Sequence, residues 1–175
     1  MLRKPENRSL RAAMRLAFIY VSLIIAAHAD AATKRDRIDA LSSQERGVRL
    51  RLELEREYKE LRHTGEFKAA GNDVSSIVKK YIPVGTSFAN AETALRSSGF
   101  DIDPLPPREP PNNPCSLWGD EDKLMLRFAI FGTLMLAQQG VSRMTVEITL
   151  LPKKLEAGEQ NTVKGVRAAI CYRGV

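Results

Sequence analysis

Apolar positions recur in steps of three and four through the first part of this chain and in steps of two through most of its last third. Residues 33–64, "TKRDRIDALSSQERGVRLRLELEREYKELRHT", carry both periods at once. Val48, Leu50, Leu52 and Leu54 alternate with charged residues as in a half-buried strand, yet Leu50, Leu54, Tyr58 and Leu61 fall at i, i+4, i+8 and i+11. Leu, Arg, Glu and Lys favour helix, and Ser42 with Glu45 has capping-box spacing, so a helix over 42–63 is predicted. Gly47 weakens its first turns. Its apolar seam is free to pack on the rest of the domain, to pair with another chain, or to stay as a partly solvated arm.

Residues 63–73 read as a linker. Beyond them "SSIVKKYIPVGTSFANAETALRSSGFDI", residues 75–102, reads as helix, turn, helix and strand. Asp73 is the expected N-cap, and Val74, Ile77, Val78 and Tyr81 line one face. Pro83 ends that helix at Ile82, Gly85 makes the turn, and Thr86 or Ser87 caps a second helix with Phe88, Ala91 and Leu95 inside. Gly99 is placed as a left-handed C-cap residue, which brings Phe100 onto Leu95.

Residues 104–114 hold six prolines in eleven positions and form an extended connection. The run 123–138 is continuously apolar with a glycine break and suits one strand, two strands or a buried helix. In 142–152, Met144, Val146, Ile148 and Leu150 share one face; in 161–175, Val163, Ala168, Ile170 and Tyr172 are the positions expected to be buried. A polar hairpin loop joins these two runs. The predicted class is α+β: an N-terminal charged helix, then two short helices packed on an antiparallel sheet of three or four strands, one sheet face buried and one wet. The expected divisions are a leader over 1–29, a charged helical arm and linker over 30–72, and an α+β domain over 73–175.

The leader changes the meaning of the charge. Basic residues precede the apolar stretch 16–29, "LAFIYVSLIIAAHA", which is shorter than the roughly 20 residues a membrane span needs. Ala27-His28-Ala29 offers a small-x-small cleavage pattern, with Asp30 as the new N-terminus and a cut after Ala31 as the alternative. An exported, periplasmic or secreted protein is expected, held at a membrane only if the leader stays uncleaved. Five of the 27 basic and one of the 21 acidic residues lie within 1–29, so the remainder holds 22 and 20, a net of +2 against +6 for the whole chain. Nucleic-acid binding loses its electrostatic support.

The two cysteines, Cys115 and Cys171, are expected to pair in an oxidising compartment. Closing a loop of that length contributes roughly 4 kcal/mol in the chain-entropy account. Other chemistry is sparse. Beyond the leader the only histidine is His63, in a charged segment without a nucleophile elbow, and two distant cysteines with one histidine cannot complete a zinc site. The carboxylates Asp101, Asp103 and Asp120-Glu121-Asp122 lack a calcium-loop pattern, and no phosphate-binding glycine loop occurs. No catalytic residue, metal or cofactor is expected. If there is a contact surface, the expected place is Trp118 with Asp120, Glu121 and Asp122.

The stretch "IPVGTSFANAETALRSSGF", residues 82–100, followed by the meander, resembles small bacterial envelope domains built as two helices and a β-meander. These are the outer-membrane assembly lipoproteins of the SmpA/BamE type and the β-lactamase-inhibitor repeats. The resemblance covers residues 73 onward and lacks the lipoprotein cysteine after the leader. It implies a noncatalytic binding role in the envelope, with an envelope protein as partner. The alternatives are a structural or self-associating component acting through helix 42–63, and an enzyme using carboxylates alone.

Overall fold

The computed structural model describes residues 38, 40–68, 70–102, 123–155 and 161–173; the chain divides into two units, Met1–Ala40 and Leu41–Val175, and the elements below belong to the second. Helix α1, Ser43–Thr64, starts where the sequence places it. The Ser42 hydroxyl accepts from the Glu45 N–H, and the Glu45 carboxylate accepts from the Ser42 N–H at 2.9 Å. Leu50 and Leu54 are fully buried on its inner face. Gly47, which weakens the helix on propensity alone, is the point of closest packing. A Cβ there would lie 2.2 Å from the Ala94 carbonyl oxygen and 2.7 Å from Ser97 Cβ.

Strand β1 is Asn72–Asp73, followed by helices α2, Ser75–Tyr81, and α3, Phe88–Ser97. Asp73 is a strand residue, not the N-cap; its carboxylate accepts from the Ser75 N–H at 2.8 Å, and Val74 holds the cap position without a side-chain cap bond. Ser87 caps α3, accepting from the Asn90 N–H. The α3 C-terminus closes as a Schellman turn: Gly99 has φ 82°, its N–H donates to Arg96, and the Phe100 N–H donates to Leu95. Ser98, buried, donates its hydroxyl to the carbonyls of Gly47 and Ala94 and so ties α1 to the end of α3.

Strand β2, Asp101–Ile102, follows, and after a four-residue helix α4, Lys123–Leu126, come β3, Ile130–Gln139, β4, Ser142–Pro152, and β5, Val163–Arg173. All pairs are antiparallel, in the order β1-β5-β4-β3-β2. Among the described residues the sheet thus has five strands, against the three or four expected. The two extra ones are two-residue flanks of the α2–α3 pair, too short to show an alternating pattern. They have a mechanical role: β1 pairs with β5 and β2 with β3, so the helix pair is stitched to both sides of the meander.

The ambiguous run 123–138 divides into α4 and most of β3. Its glycine is a packing site, since a Cβ on Gly132 would meet Ile148 at 3.0 Å and the Phe100 ring at 3.2 Å. The helix expected within an arm packs against α2 and α3 instead. The second sheet face is not wet throughout: Thr145, Thr149, Leu151, Ala169 and Cys171 are buried, with Leu126 of α4 clustered on Leu151. Tyr172, expected inside, is 57% exposed because it stands at the far end of β5.

Candidate functional site

Beneath the C-terminal half of α1 the helix layer stands away from the sheet. A cleft of about 800 Å³, open to solvent along one side, lies there. It is lined by Tyr58 and Arg62 of α1, Phe67 and Lys68 of the following loop, the β3–β4 hairpin, and Tyr172 of β5.

Each wall has a local cause. Gly65, at φ 74°, ends α1 by donating its N–H to Leu61, and Gly71, at φ 84°, turns the chain back with its N–H on Lys68. Between them the buried Asn72 side chain holds the loop: its amide donates to the Glu66 carbonyl at 2.9 Å and accepts from the Lys68 N–H at 3.1 Å. Phe67 is thereby set against Tyr58, with ring centroids 6.2 Å apart. On the sheet side Gly140 and Val141 make a two-residue hairpin loop with φ 60° at the glycine, the pattern of a II′ turn. A register shift between Met135 and Ala137 re-aims the end of β3. Gln138, Gln139, Ser142 and Met144 then face the cleft, and the Tyr172 and Ser142 hydroxyls lie 2.9 Å apart.

A second polar cluster lies between α1 and α2. Glu53 accepts from Lys80 at 2.8 and 2.6 Å, from the Tyr81 hydroxyl at 2.6 Å and from Arg56 at 3.1 Å. Burial works to raise the Glu53 pKa, but the hydrogen bonds and cations together hold it below the usual carboxylate value. Burial works to lower that of Lys80, and Glu53 more than reverses it, leaving it raised. Tyr81 is raised by burial and then by Glu53. Both Glu53 carboxylate oxygens are engaged by neighbours from the two helices, so the cluster is a latch between them.

Most residues singled out from the sequence lie elsewhere. Ala29, Asp30, Cys115, Trp118, Asp120, Glu121 and Asp122 are outside the described residues, and so is the expected Cys115–Cys171 bridge. Cys171 itself is fully buried on β5, opposite Thr145, its sulfur 3.7 Å from the Ala169 carbonyl oxygen. His63 is exposed in the last turn of α1, and Asp101 is exposed on β2. Among the described residues no group of three His, Cys, Asp or Glu side chains could hold a metal, and no helix is long and apolar enough to cross a membrane.

The cleft residues were hidden by their settings. Phe67 and Lys68 belong to a segment that reads as linker, and Gln138 and Gln139 to the tail of an apolar run. Tyr58, through its place in the α1 seam, and Met144 and Tyr172, through the strand alternation, carried a signal, but of burial and not of a cleft. Family models, curated protein sequences and solved structures contain no match to this chain.

Proposed function

We propose that the protein is an exported, noncatalytic interaction module of the cell envelope and that it holds its partner in the cleft beneath α1. One observation supports this above the others: among the described residues the lining consists of aromatic, amide, hydroxyl, apolar and cationic side chains, with no carboxylate, histidine or cysteine. Acid–base or nucleophilic chemistry needs such groups in mutual reach, whereas recognition needs an apolar floor with a few polar groups around it. The volume lies within the range of roughly 300–1,000 Å³ usual for ligand sites. A hydrolase working through carboxylates alone finds no pair of them in the described lining. The leader supplies the compartment, and the resemblance to small envelope domains points the same way.

The second reading, self-association through α1, draws on Val48 and Leu52. These are 53% and 61% exposed, one turn apart on the outer face of the helix. One experiment separates the two. A photo-reactive amino acid is placed at Gln139 in the cleft, at Leu52 on α1, or at Lys79 on the surface of α2, in the producing cell. A discrete adduct with a different protein from Gln139 alone is expected. An adduct of twice the chain mass from Leu52 would favour self-association, and identical patterns at all three positions would remove the cleft as the contact site.

A further inference from the structure

Resting on that reading of the cleft, we propose that its occupant is an extended acidic segment of an envelope protein. In this arrangement an aromatic or large aliphatic side chain sits between Tyr58–Phe67 and Tyr172, and a neighbouring carboxylate is held by Arg62 and Lys68.

Among the described residues some cations on the helices are held in ion pairs and others, such as Arg49, Lys59 and Lys79, are not. Arg51 is paired with Glu55, Arg56 and Lys80 with Glu53, and Arg96 with Glu92. Arg62 and Lys68 are exposed, and neither makes an ion pair among the described residues. Both line the cleft. The described lining holds no carboxylate, so these two cations give the cleft a positive side that complements an anion.

The remaining lining selects a polypeptide. Gln138 and Gln139 each carry both a donor and an acceptor, which suits the N–H and C=O groups that an extended main chain leaves unpaired. The Tyr58–Phe67 pair and Tyr172, steadied by Ser142, offer two aromatic surfaces to one side chain.

The test uses the protein purified as its producing cell leaves it. A displayed library of short random peptides is selected on it, and the enriched sequences are made with a fluorescent label for anisotropy titration. The expected result is enrichment of Asp or Glu close in sequence to Phe, Tyr, Trp or Leu. Arg62→Gln with Lys68→Gln should then weaken binding roughly tenfold or more, as for lost hydrogen bonds between charged groups. Replacing the peptide's carboxylates by amides should cost about as much, with little further loss on the double variant. Both side chains are exposed, and an unchanged melting temperature verifies that the fold is kept. Enrichment of neutral or basic peptides, acidic peptides indifferent to the double variant, or no enrichment would each overturn the inference. So would binding of anionic phosphatidylglycerol vesicles, dependent on the two cations, in place of peptides. The cross-linking result stands apart from all of these and decides the broader reading independently.

Discussion

The two ends of the helix-covered sheet face are built from the same alternating strands and finish differently. At one end α2, α3 and the first half of α1 close over Val146, Ile148, Leu150 and Ile170, all nearly inaccessible. At the other, Met144 is the last buried residue of β4 on that face, and only the second half of α1 and the loop after it stand over the strands. Glycine and backbone make the closed end, where α1 approaches α3 to a distance that excludes even a methyl group. Aromatic side chains and an empty volume make the open one. The difference teaches that helix packing in this domain is graded along α1, and that the ungraded alternation of the strands gives no hint of it.

The largest expected effect falls on the closed end. In Gly47→Ala the new methyl meets a carbonyl oxygen and a Cβ, neither of which can swing aside, so α1 must lift from α3. Overpacking of this kind costs about 3 kcal/mol, and the better helix propensity of alanine returns about 1. The net is a loss of about 2 kcal/mol, seen as a fall in melting temperature of roughly 6–8 °C. An unchanged melting temperature would mean that the two helices are not in backbone contact, and the contrast between the ends would collapse.

A smaller effect is expected midway along α1, at the latch. Burial opposes the ionisation of Glu53, but the bonds from Lys80 and Tyr81 and the charges of Lys80 and Arg56 win and leave its pKa below 4.5. A depressed folded pKa contributes stability above 4.5 that is lost as pH falls through the folded value. Lys80, raised above 10.5 by Glu53 against its burial, and Tyr81, raised above 10.0 by burial and by Glu53, act in the opposite sense. Their contribution is present below those values and disappears as pH rises through the raised ones. Glu53→Gln should therefore cost about 1 kcal/mol, discounted for partial exposure, across the plateau between pH 4.5 and 10.0. Denaturant titrations of both proteins should show the gap closing as pH drops below 4.5; a gap that persists in acid would assign the loss to packing and not to charge.

What the sequence revealed and what it hid divide along the same line. The capping box at Ser42, the Schellman end at Gly99 and the burial of Leu50, Leu54, Val78 and Leu95 are local matters of period and punctuation, and they were readable. Gly47 was not, because a glycine that permits contact and a glycine that merely weakens a helix look identical without the partner helix. The two-residue strands β1 and β2 were invisible for want of length, and the split of 123–138 for want of alternation. The cleft was least accessible of all. Its lining comes from a helix end, a loop, a hairpin and a strand end, and what makes it a site is that none of the described side chains fills the space between them.

The smallest stability effect is expected at that open end, and it is the most exacting for the comparison. Tyr172 pairs across the ladder with Met144, touches Ser142 through its hydroxyl and is 57% exposed. A tyrosine closed into a core would lose several kcal/mol on truncation, as phenylalanine does, whereas an exposed cross-strand aromatic contributes about 0.5 kcal/mol. Tyr172→Ala should accordingly leave the denaturation midpoint close to that of the parent while removing one of the two aromatic walls. An enriched peptide should then bind the variant several-fold more weakly, the weakening falling on its apolar anchor and leaving the salt dependence of binding, set by Arg62 and Lys68, as it was. A stability loss near that of Gly47→Ala would show that the far end of the sheet is packed after all. In that case the cleft would be a flaw of packing and no place for a partner.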